Sequence, residues 1–561
     1  MGEVSVSLEN DDWTNVGEVH AAGRAFYGGD LLDTGGLVDL FDGATERECV
    51  RRASELNGLF SVVREGGDEA LVVSDRIGSR ALFYTTGDPV RVSDHFGELG
   101  SATGGGVPED RELEFRMATY VSGEETLDPS IRKTRPGSIV RLDAGGAISR
   151  RQYYAFRDDP RPDRYGTDQY AAWKDALDRA FERVATVADG RQIVMGLSGG
   201  HDSRLVVTML DRMDYDDVVL FTYSNIQDAD YDLEVAGDVI DDVGFDWFEI
   251  PLTGEDVRAG HRSALWEDIV RGLGRSGMSH THPVEIAIQE GLQGADAVDG
   301  DALRLHGHQL FGAGSYVPRR LLDRDGPADL DSVVDAVYDR HYRQYGFDRS
   351  AVETVKGRIA RSVRDDDGPV DGSFETVERW YWRERIPNFL SMRALVRMEF
   401  DVWFPLMDAE LLDFWNGVSR RDRYGKRLYE RWVDDLYRET YGRRRVTSSE
   451  LKRAERREQA SGLERLVLAL RDTPLEAHLR ESRLRPYARA LARRLRDGSD
   501  DPAEIHRRDP LLAFVDRERF ERTYTGSEGP RYVLADEILR TPDGSAGETR
   551  RERVEGRVED R

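Results

Sequence analysis

Gln192-Ile193-Val194-Met195-Gly196-Leu197-Ser198-Gly199-Gly200-His201-Asp202-Ser203-Arg204 runs from an apolar stretch through a glycine pair into the helix-patterned Leu205-Val206-Val207-Thr208-Met209-Leu210. A strand, a tight turn and a helix start in that order predict an anion site. Adjacent glycines let the backbone turn sharply and aim successive N–H groups at an oxyanion, while the following helix adds free donors and the positive end of its dipole. Leu197, Ser198, Gly199, Gly200, Asp202 and Ser203 are the expected phosphate contacts. The two serine hydroxyls donate, and the Asp202 carboxylate is the expected ligand of a Mg2+ bridging phosphates. No Gly-Lys-Ser/Thr follows the glycines, so this is not a Walker A loop.

Working outward, Val218 to Tyr223 reads as a buried strand, Asp230 to Val243 as an amphipathic helix and Trp247 to Ile250 as another strand. That alternation predicts a doubly wound parallel sheet whose ligand lies beyond the carboxyl ends of the strands, with Ser224 and Asn225 facing the loop. Upstream, Met1 to Phe156 is β-rich. A helix is expected over 44–56, and strands over 59–63, 69–73, 80–84, 138–142 and 152–156. The charged stretch 157–166 reads as a linker, after which Thr167 opens a helix carrying Trp173, Leu177, Phe181 and Val184.

At 561 residues the chain exceeds one core, so several domains are expected. Asp and Glu outnumber Lys and Arg 107 to 80, a net charge of −27, and only Lys133, Lys174, Lys356, Lys426 and Lys452 are lysines. This acidic, lysine-poor surface suits a high-salt cytoplasm and argues against general nucleic-acid binding. No apolar run approaches a membrane span, and the first residues carry no signal pattern, so the expectation is a cytoplasmic protein. Cys49 is the sole cysteine, which excludes intrachain disulfides and reads as a small core residue.

The Ser-Gly-Gly-x-Asp-Ser wording at 198–203 resembles the PP-loop of the ATP pyrophosphatase superfamily, whose members split ATP between its α and β phosphates and adenylate a substrate. A second resemblance lies upstream. Leu56-Asn57-Gly58-Leu59-Phe60, Asp75 to Tyr84 and Ile131 to Val140 look like the glutaminase (Ntn-type) domain of B-type asparagine synthetases. That family attacks glutamine with an N-terminal cysteine, whereas removal of Met1 here would expose Gly2. Neither the family's glutamine-binding arginine nor its Asn-Gly oxyanion loop has a counterpart, so no glutaminase activity is expected.

The synthetase resemblance continues at Phe221-Thr222-Tyr223 followed by Asp230 to Ala236, which implies an adenine contact at Thr222 and an acidic helix start. The bland amphipathic reading suffices for Asp230 and Glu234. At Val298-Asp299-Gly300-Asp301 the resemblance implies a nucleotide contact at Gly300 and the reacting-centre acid at Asp301, with Asp299 second. Leu310-Phe311-Gly312 survives from the family's Asp-Glu-Leu-Phe-Gly run, but His308-Gln309 stands where the acids would. His280, His282, His306 and His308 read as polar loop residues rather than a metal site. Asn388, Arg393, Glu399 and Phe404 to Asp408 resemble the amino-acid pocket. Gly425-Lys426 resembles the Gly-Lys element, which implies a catalytic lysine at the phosphates; in an arginine-dominated chain, a compact ammonium at that place is informative.

The expected architecture is therefore an α+β glutaminase-like β-rich domain (1–156), the 157–166 linker, and an α/β PP-loop domain with a doubly wound parallel sheet (167–445). A helical extension (446–540) and a charged tail (541–561) follow. The arginine pairs of the extension, such as Arg493-Arg494, are expected to meet the acidic body. The expected function is an AMP-forming amide ligase using ATP and Mg2+, acting on a small-molecule carboxylate and an amine or ammonia. A separate glutaminase and a second copy of the chain are the protein partners left open; nucleic acid and membrane are not expected. Ligation of a different carboxylate, as in β-lactam synthetase relatives or surface-glycan modification, and a nucleotide-binding scaffold without turnover are the rival readings.

Overall fold

The computed structural model describes residues 4–10, 12–99, 106–156, 168–224, 229–279, 282–323, 326–342, 347–364, 372–389, 395–396, 398, 401–459, 506, 510–523, 535 and 538–539. Asn225, His280, Arg393, Glu399, Arg493, Arg494, the linker, most of the 446–540 stretch and the 541–561 tail lie outside the described residues. The strands are β1 (Ser5–Ser7), β2 (Trp13–Val16), β3 (Val19–Tyr27), β4 (Asp30–Leu32), β5 (Asn57–Glu65), β6 (Glu69–Ser74), β7 (Phe83–Thr85) and β8 (Arg91–Ser93), then β9 (Ile131–Lys133), β10 (Ser138–Asp143), β11 (Ile148–Gln152), β12 (Ile193–Gly196), β13 (Val218–Ser224), β14 (Asp246–Pro251), β15 (Leu303–Leu305) and β16 (Val402–Trp403). They form three sheets: β1-β8-β7-β9, then β11-β10-β6-β5-β3-β2 with β4 on β3, and β14-β13-β12-β15-β16. The molecule is a mixed α/β structure.

Period-two alternation explains how the first two sheets pack. Val63, Ala70 and Val72 face Tyr84 and Val92 of the small sheet, while Val62, Leu71 and Val73 point the other way onto the helices Thr34–Phe41 and Glu46–Glu55. The second helix is fixed by a capping box between Thr45 and Glu48. Cys49 is buried on its inner face, where burial pushes its thiol up.

Two expected strands shift for local reasons. The Asp75 carboxylate accepts from the N–H groups of Ile77 and Ser79, so that turn extends too far for a strand from residue 80, and β7 begins at Phe83. The last hairpin closes at Gly146 (φ +84), pairing Ser138 with Gln152, so β11 ends where a strand was expected to start. The long helix is Gln169–Ala188, and its cap is Asp168, which accepts from Ala171 N–H at 3.0 Å, rather than Thr167.

All four pairings in the third sheet are parallel. Its central strands are apolar on both faces, as a sheet covered by helices requires. Chain order reverses between β12 and β15, and that switch point is where such sheets bind ligands. Below it, the Trp432 ring packs against both Trp173 and Trp415, tying the helices Gln169–Ala188, Ala409–Asn416 and Arg427–Tyr441 together.

Three polar joints connect the N-terminal part of the chain to the rest. Arg24 of β3 and Arg191, just ahead of β12, both donate to Asp401, at 2.7 and 2.8 Å. Asn57 and Arg183 both donate to Asp408, at 2.9 and 2.8 Å. Arg358 of the helix Arg349–Arg364 reaches Asp110, Glu114 and Glu125. Among the described residues no helix is long and apolar enough to cross a membrane.

Candidate functional site at the carboxyl edge of the parallel sheet

β12 ends at Gly196, and Leu197 N–H still pairs with Phe221 O at 2.8 Å before the chain turns. The helix His201–Arg212 starts behind Gly200, which carries no side-chain cap. Ser198 N–H donates to Ser203 Oγ at 3.2 Å, and the two hydroxyls lie 3.0 Å apart, which fixes the turn. Gly200 N–H has only a 3.4 Å contact with Ser198 Oγ. Gly199 is needed for close approach: a Cβ there would stand 1.5 Å from Ser448 Oγ. Gly199→Ala is therefore expected to cost about 1–3 kcal/mol of stability through overpacking. At Gly200 an added Cβ would meet only Ser198 Oγ, at 3.4 Å, so Gly200→Ala should lower the urea midpoint less than Gly199→Ala does, by no more than the preference for glycine over alanine at a helix start.

Asp202, in the first turn of the helix, is held by the Lys426 ammonium at 2.9 and 3.1 Å, with Gln309 Nε2 3.4 Å away. Lys426 reaches it from a left-handed backbone (φ +63) directly after Gly425 (φ +71). A non-glycine residue there stores about 1–3 kcal/mol and persists only where its surroundings dictate it. Three residues upstream, Arg423 is 2 % exposed at the side chain and binds the buried Glu378 at 2.8 Å. The ammonium also lies 4.9 Å over the ring of Tyr429, whose hydroxyl burial keeps well above its ordinary range.

The structure thus brings Leu197, Ser198, Gly199, Gly200, Asp202, Ser203 and Lys426 to one edge, with Thr222 buried at the carboxyl end of neighbouring β13. Gly300, Asp301 and Asp299 are elsewhere, which corrects their assignment. Ile193 pairs with Leu303, so the residues before Leu303 lie at the amino end of the sheet. There Asp299 N–H donates to Gln192 Oε1, and Arg191 to the carbonyl of Asp301. The residues that do follow β15 are His306 to Gln309. Gly307 packs so closely that a Cβ would stand 3.3 Å from Ser203 N. His308 is pushed down to about 3 by burial, with His306 and Arg304 adding and Asp202 opposing, so its imidazole is neutral. The surviving Leu-Phe-Gly run was the signal for this placement, because Phe311–Ser315 forms the turn under Lys426.

Asp232 and Ser448, both at the loop, had no sequence signal beyond an acidic helix and a serine pair. A cleft of about 470 Å3 opens from Gly200, Asp202 and Lys426 along Arg427 and Arg431, a size suited to a small-molecule ligand. Among the described residues no group of three or more His, Cys, Asp or Glu could hold a metal. Mg2+ needs only one or two carboxylates when phosphates complete its shell, and Asp202 offers one. These residues fit a magnesium ion brought in with phosphates and do not fit a site closed by protein alone.

No family model and no curated protein matches the chain. Similar solved structures include an allosteric regulatory enzyme of purine biosynthesis, at 10 % identity and a TM-score of 0.17, covering 42 % of this chain and 60 % of that one. Another is the glutamine phosphoribosylpyrophosphate amidotransferase from B. subtilis complexed with ADP and GMP, at 12 % identity and 0.17, covering 54 % and 58 %. The chain spans about three fifths of the length of these structures, and likenesses of this size identify no family.

Proposed function

We propose that the chain is an ATP-dependent, AMP-forming amide ligase. The single observation that carries this reading is the Lys426–Asp202 pair, set beside a glycine turn at the switch point of a parallel sheet. In the proposed reaction a carboxylate oxygen attacks the α phosphorus of ATP, the bond to the bridging oxygen breaks, and pyrophosphate leaves. An amine then attacks the acyl carbon, AMP departs, and the amine proton passes to solvent.

The chain's own contributions are positioning and charge. Gly200 N–H and the helix start face the phosphates, Ser198 and Ser203 orient them, and Lys426 neutralises charge growing on the leaving oxygen. Asp202 would hold the magnesium ion, which supplies further charge neutralisation when bound. Cys49, the sole thiol of this chain, is buried away from this edge, so the nitrogen is proposed to arrive as ammonia, as an amine or from a separate glutaminase.

The test is AMP and pyrophosphate release by the full chain with ATP, Mg2+ and a panel of acids at high salt, first with ammonia and then with glutamine. Release that depends on one acid names the substrate. ATP binding without AMP from any acid overturns the ligase reading in favour of the scaffold, which one observation supports: Gly199 N–H is already bound to Asp232. Asp301→Asn is expected to leave turnover unchanged, since it lies at the far end of β15; loss of turnover would return the acid role to it.

A further inference from the structure

Gly199 N–H, a donor the turn would aim at an oxyanion, is occupied. Asp232 Oδ1 accepts from it at 3.0 Å, and Ser448 Oγ donates to the same oxygen at 2.5 Å. Ser448 N–H donates back to Gly199 O at 3.0 Å. The glycine turn, the helix Ala229–Val243 and the start of the helix Ser448–Gln459 thus close a ring of three hydrogen bonds.

The segment leading into Ser448 is tied down independently. Buried Arg204, in the helix that follows the turn, donates to the carbonyls of Arg445 and Val446 at 2.8 and 2.7 Å. Arg445 in turn binds Asp242 at 2.8 Å. Ser448 is therefore delivered to the turn by a fixed strap rather than by a loose chain end. The contact is close enough that no side chain fits at Gly199.

A carboxylate oxygen on a backbone N–H of a glycine turn ahead of a helix has the charge and the place of a phosphate oxygen. A second anion at the same donor would face like charge at contact distance. Meanwhile Gly200, Asp202 and Lys426 open onto the cleft beside Arg427 and Arg431. That cleft mixes Lys426, Arg427 and Arg431 with Glu430, Asp434 and Asp435; an arriving anion meets the Lys426 ammonium there and reaches Gly199 only when Asp232 leaves.

We propose that Asp232 is an internal plug: its carboxylate, held by Ser448, fills one oxyanion position in the resting chain and must be displaced before phosphate seats fully. The proposal rests on reading the turn as a phosphate cradle. It makes the resting affinity for phosphates a property of the Asp232–Ser448 contact as well as of the turn. Displacement breaks only side-chain hydrogen bonds, so the strap and the sheet stay in place.

The experiment titrates the full-length protein with inorganic pyrophosphate by calorimetry, comparing wild type, Asp232→Asn and Ser448→Ala. Asp232→Asn keeps the shape and an acceptor for Gly199 while removing the charge, and is expected to bind pyrophosphate at least about tenfold more tightly. Ser448→Ala, which frees the carboxylate without removing it, is expected to fall between the two. Equal or weaker binding by Asp232→Asn overturns the plug, as does a wild type and variant that both fail to bind. AMP release separates this outcome from the ligase reading. Tighter binding without AMP from any acid leaves the plug and removes the ligase, whereas AMP release with unchanged pyrophosphate affinity does the reverse.

Discussion

Lys426→Ala is expected to lower ATP-dependent AMP release by about a hundredfold to a thousandfold, the usual loss when one preorganised donor is removed from a transition state. The reason lies in how the ammonium is held. Its backbone is in a left-handed conformation, its aliphatic stem packs on Gly312, and its head rests between Asp202 and the face of Tyr429. Every part of that arrangement fixes a point charge at the mouth of the glycine turn. Lys426→Arg should not restore activity, because a planar guanidinium cannot occupy the place of a compact ammonium. Steady-state AMP release, with thermal unfolding as a check of fold, decides the matter; an alanine variant as active as the parent would remove Lys426 from the chemistry.

The largest stability effect is expected at Arg358. Its side chain is 2 % exposed and binds Glu114 at 2.5 Å and Asp110 and Glu125 at 2.7 Å. Arg358→Ala leaves the fully buried Glu114 without its cation, and stranding one partner of a buried pair costs about 3–5 kcal/mol. Urea unfolding at neutral pH should show that loss, and a midpoint within error of wild type would refute it. The difference should shrink in acid. Burial pushes Glu125 up, but Arg358 and then Arg111 outweigh it and hold the carboxyl at about 2, below its ordinary 4.5. A carboxylate held low stabilises the fold above its ordinary value and loses that contribution as pH falls toward 2. Wild type therefore gives up, over that window, part of an advantage the variant never had.

Much of the site could be read in the sequence because its parts are contiguous. Ser198 to Ser203 specify strand, turn and helix start by composition alone, and Gly425-Lys426 carries its own turn signal. The parallel sheet is equally legible, since β12 and β13 are apolar runs, and β14 carries Trp247, Phe248 and Ile250, at helix-length separations. The place of Asp301 is not legible locally, because a strand as short as Leu303–Leu305 carries little pattern; its parallel pairing with β12 shows that the flank after Leu305, not the one before Leu303, faces the loop. Strand β3 has no local signal, because Ala21-Ala22-Gly23-Arg24 has little β propensity, and its neighbours β2 and β5 supply the hydrogen bonds that make it a strand. Asp232 and Ser448 lie 216 residues apart, and no local pattern announces such a meeting.

Asp401 and Asp408 bear on whether this polypeptide is divisible. Each carboxylate accepts from one group of the N-terminal sheets, the Arg24 guanidinium or the Asn57 amide, and from one arginine of the helix-and-sheet body, so parting the two sides would strand the Arg24 charge and leave the Asn57 amide without this bond. The N-terminal part is in this sense a structural subunit that happens to share a chain. If the backbone were cut between residues 157 and 166, the two fragments would be expected to remain associated even in high salt, because one apolar core runs from Phe26, Leu59 and Phe83 to Trp173 and Trp403; separation on added salt alone would refute this.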